Sequence, residues 1–204
     1  FMPASADYVA LLLGIWRAGG IAIPLNTSAA LPELEHALLS AGVTRLVISG
    51  STDAQVHLGL QALCDKLRVR VLQMEELVAQ TAATADTVQL PILAPKRRAM
   101  ILFTSGTTNK PKGVVSTHHN IATQITTLLQ AWAWHSSDRI PLFLPLHHIH
   151  GIINVLCCAL WQGAELTLFA RFEMDTLLQQ VEQHRYTVFM AVPTIYVKII
   201  QQLE

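Results

Sequence analysis

The chain has 204 residues, enough for one large domain or two small ones, and 51% of them are hydrophobic while only 14% are charged, against about 25% charged in an ordinary globular domain. Fourteen basic side chains balance fourteen acidic ones, and the only basic run, Lys96-Arg97-Arg98, is too short for a nucleic-acid footprint, so nucleic acid is not an expected partner. The longest apolar runs, Tyr8 to Trp16 and Gly151 to Trp161, are bounded by Arg17 and Gln162 and fall short of the roughly 18 residues that span a bilayer, so no transmembrane segment is expected.

Helical and strand-like patterns alternate along the chain, which predicts an α/β fold with largely parallel sheets in a layered arrangement. Ser5 or Asp7 caps a first helix running to Arg17, Gly19-Gly20 stops it, and Ile21 to Pro24 reads as a short strand. Pro32 suits the first turn of a second helix that ends at Gly42, and Arg45 to Ser49 reads as strand. Val56, Leu60, Leu63 and Leu67 recur at helical spacing ahead of a strand from Val69 to Leu72. Residues 80–98 hold Ala and Thr, then Pro91, Pro95 and the basic triplet, and read as a connection between a first lobe (1–79) and a second (99–204).

Ala99 to Leu102 reads as strand. Beyond the loop that follows, Ile121, Ile125, Leu128, Leu129 and Trp132 stripe a helix. A strand is expected between Ile140 and Leu146 with Pro141 and Pro145 at its ends rather than in its ladder. A buried helix from Ile152 to Trp161, a break at Gly163 and a strand from Leu166 to Phe169 come next. Met174, Leu177, Leu178 and Val181 mark another helix, Thr187 to Val192 another strand, and Pro193 opens a final helix to Leu203. No internal repeat is evident. Cys64, Cys157 and Cys158 have neither zinc-like nor disulfide-framework spacing. Phe1-Met2-Pro3 lacks a signal-peptide pattern, so buried thiols in a reducing, cytoplasmic setting are expected.

The segment Phe103-Thr104-Ser105-Gly106-Thr107-Thr108-Asn109-Lys110-Pro111-Lys112-Gly113 puts hydroxyls, glycines and lysines into one loop after a strand. Hydroxyls and exposed amides donate to phosphate oxygens, lysine adds a point charge, and glycine admits close approach of a ligand. A polyphosphate-binding loop is the natural reading, with a Ser/Thr/Gly-rich surface turn as the plain alternative. It is not a Walker loop, because Lys112 precedes Gly113 and Val114 follows.

The loop resembles the signature of the adenylate-forming superfamily, in which an aromatic-Thr-Ser-Gly-Ser/Thr-Thr-Gly-x-Pro-Lys-Gly run precedes the acyl site. Asn109 stands where the family usually has glycine, and Asn tolerates the left-handed backbone such a turn needs. The resemblance implies that Thr104, Ser105, Gly106, Thr107, Thr108, Asn109 and Lys112 bind the β- and γ-phosphates of ATP, with Lys110 facing solvent.

Pro145-Leu146-His147-His148-Ile149-His150-Gly151 places three histidines where a strand gives way to a helix, a usual ligand position in α/β sheets. No nearby Asp, Glu or Cys completes a zinc spacing, so no protein-held metal is expected. By themselves the histidines could equally cap the helix or satisfy buried backbone groups. The segment is similar to the family's Pro-x-aromatic-His-x-x-Gly, with His148 and Gly151 in register and His147 replacing the aromatic residue. The likeness implies that His148 borders the acyl carboxylate and the thiol route and serves as the catalytic residue. Pro145 to Gly163 looks like malonyl- and methylmalonyl-CoA synthetases, where His150 has a counterpart. Phe189 to Tyr196 resembles the acyl-pocket turn of that subgroup, implying Val192, Pro193 and Thr194 as substrate-binding. Scaffold is the plain reading of that turn. Arg171 and Arg185 are the cations available to a distal carboxylate.

The resemblance thus implies an ATP-dependent acid–CoA ligase acting on malonate, methylmalonate or a fatty acid, with ATP, Mg²⁺ and coenzyme A. A peptide-synthetase or luciferase-like adenylation domain, a non-catalytic nucleotide-binding module and an inert folding fragment are the alternatives. Family members run about two and a half times this length, and their Tyr-Gly-x-Thr-Glu, ribose-binding Thr-Gly-Asp and adenylation-lysine segments are expected after Glu204. The chain is therefore expected to be an incomplete N-terminal domain, inactive alone, whose final helix exposes an apolar surface that favours self-association.

Overall fold

The computed structural model describes residues 1–82, 89–104 and 110–203. Backbone contacts divide the chain into two units, Phe1–His119 and Asn120–Glu204. Both mix helices with short strands, as the alternating sequence pattern requires.

In the first unit, helix α1 (Ala6–Arg17) begins where Ser5 Oγ accepts from the Tyr8 N–H at 3.1 Å. Helix α2 (Leu31–Ser40) carries Pro32 in its first turn and buries Leu34, Ala37 and Leu38. Strand β1 (Arg45–Ile48), helix α3 (Ala54–Leu67) and strand β2 (Arg70–Gln73) form a β-α-β unit with β1 and β2 parallel. Asp53 caps α3, accepting from the Gln55 and Val56 amides. Leu34, Leu38, Leu46, Ile48 and Leu60 pack into one core, each at most 4% exposed. Helix α4 (Met74–Ala82) follows β2 directly and was not expected from the sequence. Glu75 and Glu76 suit its positive end, and Glu75 accepts from the Gly50 amide at 2.8 Å.

The expected strand Ile21 to Pro24 is reduced to a single parallel bridge between Ala22 and Met100. The next residue on the bonding side is Pro24, which has no N–H to extend the ladder. Strand β3 (Arg98–Thr104) instead pairs with β4 (Lys112–Thr117), antiparallel, with Thr104 opposite Lys112. Strand β4 was not expected, because Lys-Gly-Val-Val-Ser-Thr has no apolar–polar alternation to read, and Val114 and Val115 are accordingly 52% and 47% exposed.

Helix α5 (His118–Ala131) runs from the end of the first unit into the second and buries Ile121 and Ile125. Strand β5 (Arg139–Leu142) pairs in parallel with β6 (Glu165–Leu168). Pro141 lies inside this ladder, opposite Thr167, rather than at its end. The Asp138 and Leu142 carbonyls accept from Glu165 and Phe169, so alternation turns the Pro141 nitrogen away from β6 and no donor is missed. On that other edge the Thr187 and Val188 amides bond to the Arg139 carbonyl. These two bonds are what remains of the expected strand Thr187 to Val192.

The expected buried helix is of two kinds. A π-helix (His150–Cys157) leads into α6 (Cys158–Gln162), and the Cys158 amide bonds five residues back to the Ile153 carbonyl. Ile152, Ile153, Val155, Cys158 and Ala159 have no exposed surface. Helices α7 (Met174–His184) and α8 (Pro193–Leu203) complete the chain.

Candidate functional site

Ser105, Gly106, Thr107, Thr108 and Asn109 lie outside the described residues, whereas both stems of their loop are placed. Thr104 ends β3 and Lys112 begins β4; the Thr104 Oγ1 hydroxyl donates to the Lys112 carbonyl at 3.5 Å. Lys112 is exposed and has no acidic partner among the described residues. Gly113 sits opposite Phe103, and a Cβ there would come within 3.0 Å of Ile101 and 3.4 Å of the Phe103 ring. The tight neighbour is the Ile101 side chain, while the Phe103 ring is at ordinary contact distance, so glycine here spares Ile101 a small shift.

One partner of this hairpin was not legible in the sequence. His36, half-buried on helix α2, reaches the Pro111 carbonyl with Nε2 at 2.9 Å, and its ring meets Phe103 edge-on at 6.2 Å. No motif marks His36; only a long-range fold could bring it here.

In the second unit, β5 runs into buried Phe143 and Leu144 and then the Pro145–Gly151 turn. The His148 amide bonds to the Pro145 carbonyl, and the His148 carbonyl accepts from Ile152. Gly151 is fully enclosed: a Cβ would lie 2.7 Å from the Pro145 oxygen and 3.1 Å from the Leu144 oxygen. The turn closes only with glycine there. His148 is exposed and its ring lies 4.2 Å from that of half-buried His147. Burial, reinforced by the neighbouring His148, holds the His147 imidazole down to about 4, so it is neutral at pH 7. His150 is half-buried at the start of the π-helix.

Phe143 also ties this turn to the next motif. Its ring is 5.4 Å from Phe189 and 5.2 Å from Phe172, and Phe189 is 5.7 Å from Tyr196. Between Phe189 and Tyr196, Val192, Pro193 and Thr194 are exposed. The aromatic cluster thus joins Phe143, two residues before the turn, to the Phe189–Tyr196 segment within one unit. Arg171 is engaged by Glu173 at 2.5 Å, and Arg185 caps α7 in a left-handed conformation with φ 45°. A cavity of about 620 Å³ in the first unit is lined by residues such as Tyr8, Leu12, Leu46 and Arg97. None of the nominated residues that are described lines it, so its position gives no support to the site. No group of three His, Cys, Asp or Glu side chains converges as metal ligands among the described residues.

An α/β protein with a Thr/Lys-closed loop between antiparallel strands and a His-bearing turn after a parallel strand defines a class that comparison with known proteins narrows. Residues 1–204 match the AMP-binding enzyme family. The malonate–CoA ligase ACSF3, mitochondrial, of Xenopus laevis is 36% identical over 99% of this chain and 36% of its own length. The Homo sapiens protein of the same name is 36% identical over 96% of this chain and 34% of its own. Among solved structures, ATP-bound MatB from Rhodopseudomonas palustris superposes with a TM-score of 0.84 at 30% identity, covering 97% of this chain and 39% of that one. The chain belongs to the AMP-binding enzyme family, and it spans about a third of the length of the curated relatives it matches.

Proposed function

We propose that this chain supplies the phosphate-binding loop and part of the acyl site of an ATP-dependent carboxylate–CoA ligase, with malonate as the first acid to test. The observation that carries the reading is Thr104 facing Lys112 across the base of the loop, with the lysine exposed and unengaged by any described acid. The names of the relatives, malonate–CoA ligases, support the choice of acid; methylmalonate and fatty acids follow it.

A carboxylate oxygen attacks the α-phosphorus of ATP, the bond to the β-phosphate oxygen breaks, and pyrophosphate leaves with an acyl-adenylate formed. The thiol of coenzyme A then attacks the acyl carbon and AMP departs. Thr104 and Lys112, with Ser105, Gly106, Thr107, Thr108 and Asn109, hold the β- and γ-phosphates and stabilise the charge that gathers on pyrophosphate. Exposed His148 borders the carboxylate and the thiol path, with His150, Val192, Pro193 and Thr194 along the acyl group. Mg²⁺ arriving on the nucleotide would neutralise phosphate oxygens; the described residues offer it no ligand cluster.

The relatives are nearly three times as long, which favours a second reading of the 204 residues by themselves: they bind ATP without turning it over. A reducing compartment suits three buried free thiols; the vertebrate relatives' names make mitochondria the alternative to cytoplasm, to be settled by fractionation. The test of function is carboxylate-dependent ATP–pyrophosphate exchange, on this chain and on a longer protein containing it, with malonate, methylmalonate and medium-chain fatty acids. Exchange only in the longer protein supports both readings; exchange in neither sinks the ligase. Lys112→Ala that leaves ATP affinity unchanged would overturn the loop assignment.

A further inference from the structure

We propose that His36 is a positioning residue that aims Lys112 at the nucleotide, an inference that rests on the phosphate-binding role proposed for that lysine. The Pro111 carbonyl and the Lys112 amide belong to one planar peptide unit. Holding that carbonyl therefore fixes the plane entering the Lys112 α-carbon. His36 holds it at 2.9 Å; because a carbonyl only accepts, the imidazole proton sits on Nε2. Nδ1 is then left to accept from Ser40 Oγ at 3.4 Å. On the far side of Lys112, its own carbonyl accepts from Thr104 at 3.5 Å. Both peptide planes that flank the lysine are thus tied, and the direction of its side chain from the backbone is set by the two ties together.

The support beneath His36 is rigid. Its neighbours Ala37 and Leu38 and the preceding Leu34 are 4%, 2% and 2% exposed in the core of the first unit. Phe103, which meets the imidazole edge-on and lies against Gly113, packs on the same core. The imidazole thereby carries the rigidity of α2 to a lysine that is itself exposed, a sequence separation of 75 residues between His36 and Pro111. An exposed lysine on a free backbone loses rotamer and backbone freedom when it binds phosphate; one held in advance loses less.

The test is Mg·ATP affinity, by calorimetry on the full 204-residue chain, for His36→Ala, His36→Phe, His36→Gln, Lys112→Ala and the double variant His36→Ala/Lys112→Ala. Loss of one tie is expected to weaken binding by about five- to tenfold in His36→Ala. His36→Phe keeps the ring on Phe103 without the donor and should be as weak, while His36→Gln, which can present an N–H near the Nε2 position, should recover most of the affinity. The double variant should bind no worse than Lys112→Ala alone, because removing the lysine leaves His36 nothing to aim. Additive losses, or a His36→Phe that binds like the unaltered chain, would overturn the proposal while leaving the loop assignment standing. Lys112→Ala with unaltered affinity overturns both.

Discussion

Gly151→Ala tests the tight turn that carries His148. The added methyl would sit 2.7 Å from the Pro145 carbonyl oxygen and 3.1 Å from that of Leu144, the first about 0.7 Å inside ordinary contact for such atoms. Neither oxygen is on a flexible side chain, and that of Pro145 is further held by the His148 amide. Overpacking of this kind costs about 1–3 kcal/mol, and the better helix propensity of alanine returns at most about 1 kcal/mol. The net is a destabilisation of about 1–2 kcal/mol, or a fall in melting temperature of about 2–8 °C for a chain of this size. Gly14→Ala is the control: nothing lies within 4 Å of its added methyl, and the position is exposed inside α1. It should raise stability by about 0.5–1 kcal/mol. Thermal unfolding followed by circular dichroism separates the two. A Gly151→Ala chain melting at or above the unaltered one, with Gly14→Ala behaving as described, would refute the steric account of the turn.

His147 gives a pH signature. Its imidazole is held down to about 4 in the folded chain by burial and by His148, so from pH 6.5 downward the unfolded chain takes up a proton that the folded one refuses. Stability should be undiminished above pH 6.5 and decline as pH falls toward 4, with a slope well under about 1.4 kcal/mol per pH unit because the ring is only half-buried. His147→Phe should flatten that part of the curve; an identical slope in both chains would count against it. Burial pushes the Cys157 thiol up to about 12, helped by Cys158, which itself rises to about 11. At pH 8 the thiolate fraction of Cys157 is then about one in ten thousand, and iodoacetamide should modify it only after denaturation, as read by mass spectrometry. The α8 face exposes Tyr196, Val197 and Ile200 at 43%, 52% and 56%. We expect concentration-dependent self-association in sedimentation experiments that Val197→Lys/Ile200→Lys reduces; unchanged association would place the contact elsewhere.

Features that depend on near neighbours could be read from the order of residues alone. Ser5 capping α1, Pro32 and Pro193 opening α2 and α8, and the helical stripe of α5 all rest on interactions within a turn or two of chain. The family was equally legible, because its signature, Phe103 to Gly113, is a contiguous string of residue types. Features that depend on partners far along the chain emerged only once it was folded. Strand β4 exists through its pairing with β3 rather than through any apolar alternation, and the expected strand at Ile21 fails after one bridge because Pro24 has no proton to give. Pro141 enters a ladder once the register turns its nitrogen outward. The link from His36 to Pro111 could be read only from the fold, since nothing local to either residue encodes a contact 75 positions away.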